Sequence, residues 1–301
     1  MSAAAVRVTV PASTANLGSG FDALGLALAL YDVVEVRVTG DGVSGEISGE
    51  GAGRLEVDEK HLVVRALRVA AEHLGLALPG VELRCVNAIP HARGLGSSAA
   101  AVVAGIAAGY ALAGREPDAD ALSLAASFEG HADNVAASLF GGLALAWSVA
   151  APDGPRFHAV RLTPHAGLRP VVLVPPEHSA TSLTRGLLPA VVPHADAAFA
   201  AGRCALAVHA FTERPDLLLP ATEDRLHQDH RASAWPNTMR LVRELRENGV
   251  AATVSGAGPT VFAPTSDGRL PAGVDTTGFA ELELAVDRDG VRTVRIGTNS
   301  R

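Results

Sequence analysis

Lysine is almost missing from this chain of 301 residues: of 25 lysines and arginines, only Lys60 is a lysine. It lies in the polar turn Asp58-Glu59-Lys60, ahead of a helix-like pattern. Schiff-base chemistry and lysine-dependent phosphate clamps are left with one poorly placed candidate. Any anion clamp must come from arginine or backbone N–H groups. Cysteine is scarce as well: Cys85 and Cys204 stand alone, which excludes a disulfide framework and a cysteine-rich metal cluster. Basic charge is not in excess, and the net charge of −7 argues against non-specific nucleic-acid binding. The opening residues lack a basic stretch followed by an apolar core, so no export signal is expected. The apolar runs at 99–113 and 135–151 are short, rich in alanine and interrupted by glycine or serine, which suits packed interior segments better than membrane spans. The expectation is a cytoplasmic protein with neither nucleic acid nor membrane as partner.

A hydrophobic content of 48% supports a substantial core, and the length suits two ordinary domains. The sharpest change of composition is Ala151-Pro152-Asp153-Gly154-Pro155. It places the expected boundary between a domain at 1–152 and a second at 153–301. Strand patterns occupy 6–10, 23–29, 33–38 and 43–48. Apolar residues at helical spacing (Leu62, Ala66, Val69, Ala70, Leu74) predict a helix over 61–75. Further helices are predicted at 99–113, 117–128, 194–213 and 236–247, and a closing strand pair at 279–296.

The most informative stretch is Pro90-His91-Ala92-Arg93-Gly94-Leu95-Gly96-Ser97-Ser98-Ala99-Ala100. An apolar strand pattern leads in and a small-residue helix leads out. Gly94 and Gly96 allow positive φ, which turns N–H groups inward as an anion-binding nest. Ser97 and Ser98 can cap the helix or turn their hydroxyls on a ligand. The helix N-terminus adds partial positive charge, so strand, glycine loop and helix together suit a phosphate. No lysine follows the glycines, so this is not a Walker-type P-loop, and it is not a dinucleotide fingerprint.

The stretch resembles the phosphate loop of the GHMP kinases, the small-molecule kinases named for galactokinase, homoserine kinase, mevalonate kinase and phosphomevalonate kinase. Three further stretches occur in family order. Pro11-Ala12-Ser13-Thr14-Ala15-Asn16-Leu17-Gly18-Ser19-Gly20-Phe21-Asp22 is similar to the first motif of homoserine kinases. Glu129-Gly130-His131-Ala132-Asp133-Asn134-Val135 is similar to a second stretch of that group. Ser255-Gly256-Ala257-Gly258-Pro259-Thr260 is similar to the third GHMP motif.

The resemblance implies an α+β protein of two domains. The first would have a mixed sheet with helices (ribosomal S5 domain 2-like, with a left-handed βαβ unit), and the second would be ferredoxin-like. It implies ATP bound along residues 90–100 and Mg²⁺ held by Ser98 and Glu129. Asn16, Asp22, Asp133 and Asn134 would face the acceptor, with Asp133, Asn134 and Glu129 as the catalytic set. Arg185, in Thr181-Ser182-Leu183-Thr184-Arg185, and Arg231, after His227-Gln228-Asp229-His230, would be substrate-facing arginines. Within the family His61 stands near the nucleotide base, where asparagine is usual.

Substrate physics separates the members. Homoserine is a zwitterion with a primary hydroxyl, so its site needs cations for the carboxylate, an anion for the ammonium and a group to orient the hydroxyl. Two arginine forks, Asp22 or Asp133, and Asn134 meet that need. The implied activity is Mg-ATP-dependent phosphorylation of L-homoserine, with a homodimer common in the family. A mevalonate-type kinase or a non-catalytic ligand sensor on the same fold are the alternatives.

Overall fold

The computed structural model describes residues 4–152, 154–179 and 184–297. Thr181, Ser182 and Leu183 of the expected arginine motif lie outside the described residues.

The larger sheet is built from β1 (Ala5–Ala15), β2 (Leu24–Thr39), β3 (Gly42–Gly49), β4 (Gly80–Asn87), β5 (Leu143–Val149), β6 (Arg156–Leu162) and β11 (Arg292–Arg295). Its main order is β11-β1-β2-β4-β3, with β5 and β6 continuing from the far end of β2. Only β3 and β4 pair in parallel, joined through α1 (Leu62–Leu74), so the sheet is mixed as expected.

One face of this sheet carries α1, α2 (Ser97–Leu112), α3 (Ala119–Glu129) and α4 (Asp133–Phe140). Helix α2 is buried on nearly every side, because its alanines and glycines let α1, α3 and the sheet all approach it. Asp118 caps α3 by accepting from Asp120 N and Ala121 N.

The smaller sheet has order β10-β7-β9-β8, from β7 (Arg169–Val174), β8 (Thr253–Val254), β9 (Val261–Thr265) and β10 (Ala280–Glu283), all antiparallel. Numbered within this sheet alone, the order is 4-1-3-2, that of a ferredoxin-like domain. The long helices α5 (His194–Thr212) and α6 (Pro236–Glu247) both fall between its first and second strands. The connection from β9 to β10 forms no helix, and this departs from a regular βαββαβ unit.

Three sequence expectations are corrected. The strands on either side of the expected boundary, β5 and β6, pair antiparallel within the larger sheet, so the chain changes sheets after Leu162 rather than at 152. The two C-terminal strands do not pair with each other: β10 joins β7, while β11 returns to β1. The strands expected at 23–29 and 33–38 are one strand. A register shift opposite Pro11/Ala12 absorbs Ala29 and Leu30 without ending it.

Candidate active site

Four loops meet where the two sheets approach. Gly96 precedes α2 with φ +70°, and a Cβ there would stand 2.1 Å from Ser13 Oγ. Gly94 has φ +83°, and its Cβ would stand 2.3 Å from Ser255 O. Both glycines are therefore required twice, by backbone conformation and by close approach. The loops are stitched by Ser13 N donating to Leu95 O, Thr260 N to Arg93 O and Gly256 N to Ala15 O. The Ser255 hydroxyl bridges Thr14 Oγ1 at 2.8 Å and Gly94 O at 2.6 Å.

No side chain caps α2. The serines are thus not its caps. The N–H groups of its first turn lack intrahelical acceptors, and Ser97, Ser98 and Ala99 line an open cleft of about 220 Å³. Around that cleft the structure gathers Asn16, Asp22, Glu129, Asp133, Asn134, Arg185 and Arg231, which together with Ser98 are all the acceptor-side and metal-side residues expected from the sequence. Of the phosphate-loop residues, Ala92, Gly94 and Gly96 also line it. Leu95 turns into the core. Arg93 reaches away, to Glu50 at 3.5 Å and Pro176 O at 3.3 Å.

Ser98 Oγ donates to Glu129 Oε1 at 2.5 Å. Two hard oxygen donors stand side by side at the helix N-terminus, a donor set that fits magnesium. Among the described residues no cluster of three histidine, cysteine or carboxylate groups could hold a metal by itself. An ion here would take its other ligands from nucleotide oxygens and water.

Asn134 Oδ1 accepts from Ser13 Oγ at 2.9 Å. Its carbonyl end is thereby occupied, and the amide N–H groups are left for the cleft. Asp133 is 2% exposed, and its Oδ1 accepts from His131 Nδ1 at 2.8 Å and from Asn134 N at 2.7 Å. Burial alone would lower the His131 pKa. The hydrogen bond to Asp133 and the charges of Asp133, Asp22 and Glu129 outweigh it and raise it above the ordinary histidine value.

Asp22 and Arg185 form a two-pronged pair, at 2.7 and 3.0 Å, across 163 residues of sequence. At 34% and 42% side-chain exposure the pair is worth at most about 1 kcal/mol to stability. It is therefore free to exchange partners with a ligand. Asn16 lines the cleft with both ends of its amide engaged: Oδ1 accepts from Asp22 N and Nδ2 donates to Gly256 O. It holds the Asp22 loop in place. Arg231 is buried, with Nε donating to Thr184 O at 3.2 Å.

Sequence reasoning missed Phe21. Its ring carries the guanidinium groups of Arg185 and Arg231 at 5.6 and 5.4 Å and stacks on His227 at 5.0 Å. An aromatic residue beside Asp22 in a polar loop was the available signal. It also missed Ser13, whose partner Asn134 lies 121 residues away.

A second cavity of about 570 Å³ opens on the other side of Ser97 and Ser98, walled by Val34, Leu62, Val63 and Ala104 with Asp32 and His61. Its size and largely apolar wall suit a nucleoside. Burial lowers the pKa of His61, and its Nδ1 is buried without a partner.

This glycine loop, set between a mixed sheet and a smaller second domain, is the arrangement of the GHMP kinases. Residues 61–142 match the GHMP kinases N terminal domain, and residues 207–274 match GHMP kinases C terminal. The homoserine kinase of Streptomyces coelicolor is 51% identical over 305 residues, covering 99% of this chain and 97% of that protein. The homoserine kinase of Streptomyces avermitilis is 51% identical over 294 residues, covering 96% and 95%. The crystal structure of homoserine kinase from Cytophaga hutchinsonii superposes with a TM-score of 0.80 at 26% identity, covering 96% of this chain and 97% of that one. The chain belongs to the homoserine kinase family of the GHMP kinases, and it is an ATP-dependent small-molecule kinase.

Proposed function

We propose that this kinase transfers the γ-phosphoryl group of Mg-ATP to the side-chain hydroxyl of L-homoserine. The observation that carries the reading is the convergence of an acid–arginine pair, a second arginine and the Ser98–Glu129 pair in one small cleft. The names of the relatives point the same way.

A zwitterionic amino acid matches the Asp22–Arg185 pair charge for charge. Its carboxylate takes an arginine fork and its ammonium takes the Asp22 carboxylate, so neither protein charge is left unpaired. Asn134 donates to the acceptor oxygen and holds it in line with the γ-phosphorus. An amide cannot take the hydroxyl proton, so that proton passes to the transferred phosphoryl oxygens. Asp133, buried and engaged by two donors, holds His131 and the first turn of α4. Residues 92–99 cradle the phosphates through backbone N–H groups. Ser98 and Glu129 would hold a magnesium ion, which would supply positive charge to offset that on the transferring group. This is catalysis by positioning and charge stabilisation, as phosphoryl transfer requires.

Arg185→Ala is expected to raise KM for homoserine by about 10- to 100-fold, the loss of a two-pronged charge-assisted contact, and to leave KM for ATP within about twofold. Steady-state kinetics with each substrate varied at saturation of the other reads the split. Equal weakening of both substrates would contradict the assignment.

A further inference from the structure

Asp32 is a buried carboxylate that the mechanism above does not use. It is 5% exposed on β2 and borders the 570 Å³ cavity. The β2–β4 ladder ends at the pair Val33↔Val86, β4 stays paired with β3 through Asn87, and the chain then leaves the sheet toward Pro90 and the phosphate loop. The first two N–H groups past the end of β4, on Ala88 and Ile89, lie beyond its strand pairing. Both donate to Asp32 Oδ1, at 2.7 and 2.9 Å. One side-chain oxygen thus continues the ladder for two residues and fixes the direction in which the chain departs. The far end of the loop is tied separately, through Leu95 O to Ser13 and Gly94 O to Ser255.

We propose that Asp32 is a positioning residue for the nucleotide, its carboxylate aligning the approach to the phosphate loop by holding the N–H groups of Ala88 and Ile89.

A neutral side chain could accept the same two bonds without the cost of burying a charge. That cost is visible. Burial pushes the Asp32 carboxyl up to about 6, against the opposing effect of the two N–H donors, with Glu50 adding to the rise. The Cys85 thiol beside it is pushed up to about 12, chiefly by burial, and stays neutral. Arg54, Glu56, Asp58, Lys60, His61 and His91 line the same cavity. At pH 7.5 the carboxylate is ionised and makes two charge-assisted bonds, about twice as strong as neutral ones. A group that is unfavourable to fold and strong as an acceptor fits a role in function.

The proposal rests on the reading of the chain as an ATP-dependent kinase, so the test measures binding directly. Mg-ATP and inorganic tripolyphosphate are titrated calorimetrically into the full chain at pH 7.5, alongside thermal melts. Asp32→Asn is expected to weaken both ligands about tenfold, with a melting temperature equal to or above that of the parent. Ala88→Pro, at an exposed position, deletes one donor and leaves the carboxylate; it is expected to weaken both ligands in the same direction. Unchanged affinity in both variants would overturn the proposal. So would loss of ATP affinity with tripolyphosphate unaffected, which would make Asp32 a contact to base or ribose. Failure of the parent chain itself to bind Mg-ATP would instead overturn the kinase reading.

Discussion

Glu129→Gln is expected to lower kcat about 10³-fold, the scale that several kcal/mol of charge stabilisation at the transferring phosphate implies. The change is isosteric, and the glutamine can still meet Ser98 Oγ, now 2.5 Å from Glu129 Oε1. Helix α3 ends at this residue, and its N-terminal cap at Asp118 is untouched. The fold should therefore survive, with a melting temperature close to that of the parent. What is lost is the one anionic oxygen beside the serine. The effect should be read as kcat against magnesium concentration, with a higher magnesium requirement accompanying the lower rate. Unaltered kcat and unaltered magnesium dependence would remove Glu129 from the metal site. Ser98→Ala removes a neutral ligand and should cost less.

Gly96→Ala carries the second large effect, for a different reason. The position has φ +70°, and the new methyl would lie 2.1 Å from Ser13 Oγ. The conformation alone costs about 1–3 kcal/mol for a residue with a side chain. The clash then moves Ser13, the hydroxyl that fixes Asn134 Oδ1. A displacement of about 1 Å at a reacting group can cost about 100-fold in rate, so kcat should fall by about that factor, with weaker ATP binding. Kinetics and a thermal melt measure the two losses separately. Activity within twofold of the parent would show that the loop is not held as described.

The local signals in the sequence were strong where residues act through neighbours in the chain. Leu62, Ala66 and Ala70 mark α1 by spacing alone, and the glycines and serines of 94–98 mark a phosphate loop without any knowledge of the fold. Illegible features are those set by distant pairing. The bulge that carries β2 through Ala29 and Leu30 depends on its register with β1. The return of β11 to β1 joins residues nearly 300 apart, and no composition change announces it. The proline- and glycine-rich turn at 151–155 looked like a domain boundary because hairpins and linkers share that composition. Of the site, the identities of Asp22 and Arg185 were legible through resemblance. Their direct pairing was not, and neither was the stacking of Phe21 beneath both arginines. Those contacts exist only once the two sheets meet.

The central claim is that this cleft phosphorylates the hydroxyl of a zwitterionic amino acid. The most direct test is ³¹P NMR of the product, together with ADP release, when the purified chain is given Mg-ATP and L-homoserine, mevalonate, galactose or L-threonine in separate reactions. The account predicts rapid ADP release and a new phosphomonoester signal with L-homoserine alone. A phosphomonoester formed from mevalonate or galactose, with none from homoserine, would contradict it.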